Sequence, residues 1–95
     1  YAQGFEQMGA AAKEFGWSLN FGDLATIWRG GCIIRARFLD RIKEAYDAQP
    51  DLANLMLAPY FNEGLKIAQP AWRKVITEAV NLGIPVPAFA SSLAY

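Results

Sequence analysis

The sequence contains no histidine and only one cysteine, Cys32. Without an imidazole, neither a Ser-His-Asp nor a Cys-His nucleophilic system can be assembled, and the commonest zinc ligand sets are out of reach. A single thiol cannot close an intramolecular disulfide, which fits a reducing compartment. Charge of one sign is not in excess either: nine Lys and Arg balance nine Asp and Glu. A nucleic-acid binder normally shows a basic excess or stripe, so nucleic acid is not an expected partner. Wholly apolar runs are only a few residues long, far short of the roughly 20 residues that span a bilayer. No membrane association is expected. The opening YAQGF has no initiator Met and no basic-then-apolar signal pattern, and it reads as the interior of a longer chain.

What is present is apolar. Of the 95 residues 54% are hydrophobic and 14% aromatic, including Trp17, Trp28 and Trp72. That exceeds the roughly 45–50% of an average chain, so the sequence is not disordered. The excess points to surface that faces something outside these residues. Ninety-five residues make one domain or part of one.

Apolar spacing is helical throughout. Phe5, Met8, Ala12 and Phe15 fall at steps of three and four over Ala2 to Phe15, which predicts a helix, and Gly16 suits its left-handed close. Asn20 is placed to cap a second helix, with Asp23 beside its amide end. Leu24, Ile27 and Trp28 share a face there until Gly30-Gly31 interrupt the pattern. A third helix is predicted from about Cys32 to Ala48. Ile34, Phe38, Ile42 and Ala45 form its inner stripe, flanked by Ile33, Leu39 and Tyr46. Arg37–Asp40 and Arg41–Glu44 are spaced on its outer face for weak attraction. Leu52, Leu55 and Met56 suggest a short turn, and Pro59 suits the first turn of the next helix. Phe61, Leu65, Ala68, Trp72, Val75, Ile76 and Ala79 keep one phase, yet Pro70 lacks an N–H and disfavours helical geometry at Gln69. A break or sharp kink at residues 68–70 is therefore expected. Gly83 and the IPVP run close that segment, and a last helix carrying Phe89, Ala90 and Leu93 is cut short at Tyr95. The fold class is all-α, six or seven packed helices, a piece of a larger helical domain.

Chemistry is sparse. The glycines never form G-x-G-x-x-G after a strand, nor a P-loop, so no dinucleotide or phosphate cradle is encoded. Cys32 at a helix start could be a reactive thiol, but a small buried residue allowing close helix approach is the simpler reading. Arg29, Arg35, Arg37 and Arg41 could clamp a phosphate with guanidinium forks. The structural alternative places Arg37 and Arg41 on a solvated face and lets Arg29 and Arg35 serve exposed carbonyls beside the Gly-Gly break. The Asp and Glu residues lie on polar faces, caps or turns, without a visible apolar pocket. No residue is assigned a catalytic, cofactor-binding, substrate-binding or metal role.

The segments YAQGF at 1–5, EFGW at 14–17, IWRGGCIIR at 27–35, FLDRIKEA at 38–45, QPAWR at 69–73, GIPVPAF at 83–89 and SSLAY at 91–95 together resemble the decarboxylating 6-phosphogluconate dehydrogenases, over the whole chain and within their C-terminal helical domain. The resemblance implies a dimeric, cytoplasmic oxidoreductase of the oxidative pentose phosphate pathway. Such an enzyme oxidises 6-phosphogluconate with NADP and releases CO2 from a 3-keto intermediate to give ribulose 5-phosphate. It also implies that residues 1–95 are a partial helical domain. The NADP-binding Rossmann domain, the catalytic Lys and Glu and the substrate loop would lie upstream, and the C-terminal tail downstream. This segment would then be a helical scaffold and dimerisation part, inactive alone and prone to self-association, packing on its own Rossmann domain. A free-standing helical protein-interaction module is the alternative that the residues alone leave open.

Overall fold

The computed structural model describes residues 1–33 and 36–95. Among them lie five α-helices and no strand: α1 (Ala2–Phe15), α2 (Phe21–Ile27), α3 (Phe38–Ala48), α4 (Pro59–Asn81) and α5 (Pro87–Ala94), with a single 3-10 turn at Leu55–Leu57. The chain divides into two units, Tyr1–Asn62 and Glu63–Tyr95.

In the first unit α1 forms on the predicted face. Phe5 is buried, Met8 and Ala12 are half-buried, and the last member of the stripe, Phe15, is exposed and stacks on Trp17 instead. Gly16 takes the left-handed conformation at φ 68°, and the Trp17 N–H returns to the Ala12 carbonyl at 2.9 Å. That bond satisfies a carbonyl the helix end would leave open. Asn20 caps α2 as expected, its Oδ1 accepting the Asp23 N–H at 3.0 Å. The buried face of α2 differs from the one read in the sequence. Gly22 and Ala25 are buried, whereas Ile27 and Trp28 are exposed.

Gly22 explains the difference. A Cβ there would come 2.9 Å from Asp47 Oδ1 and 3.3 Å from Asn20 Oδ1, so α2 lies against α3 along its smallest residue. The α3 helix begins at Phe38, not near Cys32, and buries Leu39, Ile42 and Tyr46. Ile33, expected beside the inner stripe, is 99% exposed. Ile34, placed on that stripe, and Arg35 lie outside the described residues. Phe5, Ala25, Leu39, Ile42, Tyr46 and Leu55 form the core of this unit. Phe5, Phe21 and Tyr46 close a triangle of rings with centroids 5.2–5.8 Å apart, a spacing favourable for tilted and edge-on aromatic contacts. Leu55 enters the core from the 3-10 turn, whose Asn54 side chain accepts the Met56 N–H at 2.9 Å.

In the second unit α4 and α5 meet through Trp72. Its indole N–H donates to the Phe89 carbonyl at 3.2 Å, and its ring lies 5.6 Å from that of Phe89. Leu65, Trp72, Ile76 and Ala79 on α4, with Val86, Ala90 and Leu93 following, are the less exposed side chains here. The end of α4 is a Schellman turn. Gly83 has φ 70°, with its N–H on the Val80 carbonyl (3.1 Å) and the Ile84 N–H on that of Ala79 (2.8 Å). Pro87 then occupies the first turn of α5, where no N–H is needed.

Pro70 does not break the helix. One 23-residue helix runs through it, which reduces the expected six or seven helices to five. Proline in a helix interior removes one backbone bond and crowds the carbonyl four residues back. Residues 66–71 are all exposed, so the freed carbonyl can be hydrated.

Candidate functional site

The polar residues with the strongest prior claim to chemistry gather in the first unit. Arg29 at the end of α2, Arg37, Asp40, Arg41 and Glu44 at the start of α3, and Phe38 and Tyr60 line one open groove of about 510 Å3. Its charges are already paired. Arg29 Nε lies 3.2 Å from Asp40 Oδ1, and Arg29 Nη1 donates to the Ala36 carbonyl at 3.4 Å. Arg29 thus does serve a backbone carbonyl, but that of the segment leading into α3. Asp40 is bridged by Arg29 in place of the expected Arg37. The Arg41–Glu44 pair forms at 2.7 Å, and the Arg41 guanidinium lies 5.3 Å from the centre of the Tyr60 ring, a cation–π distance. Hydrogen bonding to Glu44, reinforced by its charge, pushes the Arg41 pKa further up.

A phosphate entering this groove would have to displace carboxylates from two of the three guanidinium groups. That makes the groove a solvated ion-pair surface more than an anion clamp. Arg35, the fourth arginine of that set, lies outside the described residues.

A second cluster joins α2 to α3. Lys43 Nζ lies 2.9 Å from Asp47 Oδ2 and 3.6 Å from Asp23 Oδ1. The hydrogen bond to Asp47 is the main reason its pKa is raised, so Lys43 is held charged and is poorly suited to act as a base near neutrality. Next to it, Leu19, Asn20, Phe21, Tyr46, Asp47 and Pro50 line a shallow hollow of about 480 Å3. Burial pushes the Tyr46 hydroxyl pKa up.

Cys32 supports neither reading made from the sequence. Among the described residues no helix starts there, and neither Gly30 nor Gly31 is closely approached. Gly31 is instead required by its backbone, at φ 74°. Among the described residues no charged or polar side chain is buried, and no group of His, Cys, Asp and Glu is placed to hold a metal. A general acid or base is usually built on a desolvated ionisable group; among the described residues burial raises the pKa of Tyr46, whose ring packs in the core of the first unit. Two contributors escaped the sequence reading: the Tyr60 ring beside Arg41 and the Arg29–Asp40 bridge. Both join distant parts of the sequence, and no local pattern announces them.

The arrangement is that of a helical scaffold, and the comparisons say which one. A family model described as "6-phosphogluconate dehydrogenase, C-terminal domain" matches residues 1–95. The chain belongs to that family. Among its relatives, "6-phosphogluconate dehydrogenase, NADP(+)-dependent, decarboxylating" of Bacillus subtilis (strain 168) is 57% identical over 95 residues, covering 100% of the chain and 20% of the relative. A Caenorhabditis elegans protein named "6-phosphogluconate dehydrogenase, decarboxylating" is 53% identical with the same coverage. A solved structure of Plasmodium falciparum 6-phosphogluconate dehydrogenase, described in apo form and with NADP+ or 6-phosphogluconate, superposes with TM-score 0.97 at 46% identity. It is matched over 100% of this chain and 20% of that one. The chain therefore spans about a fifth of the length of the relatives it matches. No helix among the described residues is long and apolar enough to cross a membrane.

Proposed function

We propose that these 95 residues are the helical scaffold part of an NADP-dependent, decarboxylating 6-phosphogluconate dehydrogenase. The observation that carries this reading is the family match over every residue, at 53–57% identity to three of the relatives. The reaction is oxidation of 6-phosphogluconate by NADP, then loss of CO2 to give ribulose 5-phosphate, in the cytoplasm and the oxidative pentose phosphate pathway. No residue of the segment touches substrate or coenzyme. The Rossmann domain, the catalytic Lys and Glu and the C-terminal tail belong to the remainder of the polypeptide. The segment's own contribution is to pack on that remainder and to take part in a homodimer. Its exposed apolar side chains, among them Ile27, Trp28, Ile33, Ile67, Val80 and Leu82, are surface for such contacts, because contiguous apolar surface left in water is costly.

The test is NADPH formation from 6-phosphogluconate, measured for the complete polypeptide and for the 95-residue chain. Hydride acceptor, base and substrate must be held together for turnover. The complete protein is expected to be active and the chain inert. Turnover by the chain alone, free of full-length contaminant, would refute the division of labour.

A further inference from the structure

We draw no further inference here: the strongest candidate, the open groove of the first unit that carries Arg29, Arg37 and Arg41 beside Tyr60, has two of its three guanidinium groups already paired with Asp40 and Glu44, and no buried polar side chain among the described residues is aimed into it to select a ligand.

Discussion

Replacing Pro70 with alanine should stabilise the protein, and the size of the gain follows from where Pro70 lies. It occupies the interior of α4, with eleven helical residues before it and eleven after. Proline is about 3 kcal/mol less favourable than alanine in a helix interior, because it lacks the donor and crowds the preceding turn. Two effects reduce the gain. Proline restricts the unfolded chain, which is worth roughly 0.4–1 kcal/mol and is lost on substitution. The carbonyl freed by Pro70 lies on an exposed stretch, so hydration recovers part of the missing bond, whose net worth is about 1 kcal/mol. Packing hardly enters, since the proline ring is exposed. The neighbouring Arg73–Gln69 hydrogen bond at 3.3 Å spans the same turn and survives the change.

The expected net gain is about 1–2 kcal/mol. It should appear in urea unfolding as a higher midpoint at unchanged slope. A constant or lower midpoint would mean that the two halves of α4 behave as separate helices, with Pro70 as a favourable first residue of the second. The continuous helix would then be the wrong description of the solution state.

Other consequences can be checked in the same way. Gly31→Val should cost about 1–3 kcal/mol, because a β-branched residue at φ 74° is strained, whereas Gly30→Ala, with open space around it and no positive φ, should be close to neutral in the same denaturation assay. Asn20→Ala should cost about 1 kcal/mol by removing the cap on the Asp23 amide, and amide exchange should quicken in the first turn of α2. Leu39→Ala should cost about 2–5 kcal/mol, since Leu39 is fully buried in the core of the first unit. Stability should fall at alkaline pH: the Tyr46 and Lys43 pKa values are both raised in the fold, so their contributions are complete below the unfolded values of 10.0 and 10.5 and fade as pH rises through the folded ones. A melting temperature that stays flat, or rises, above those values would contradict the Tyr46 and Lys43 environments.

What the sequence made legible was local chemistry. The cap at Asn20, the closing glycines 16 and 83, and the proline opening α4 are each decided by a few adjacent atoms, and each is found where expected, whereas Pro87, read as part of an extended turn, opens α5. The misreadings share a different origin. Apolar periodicity extended α3 back to Cys32, because Ile33 is apolar and in phase; the structure starts the helix at Phe38 and leaves Ile33 in water. Ile27 and Trp28 share a face with Leu24 by the same periodicity, yet they are exposed and the buried residues of α2 are Gly22 and Ala25. Hydrophobicity reports that a side chain needs covering but not what covers it. In a chain that spans a fifth of its relatives' length, the covering group need not be within the chain. Family membership became legible only through whole segments compared at once.

The pattern of misreadings itself carries information about α4. Periodicity predicts one apolar face for that helix, Phe61 to Ala79, and of its members Ala79 is buried while Ala68 and Val75 are exposed. Pro70, itself exposed, removes a backbone bond within residues 66–71, all of which are exposed. If Pro70→Ala stabilises the protein by the amount worked out above, α4 is one continuous helix in solution, and its exposed apolar side chains Ile67 and Val75 are held in one phase through residue 70.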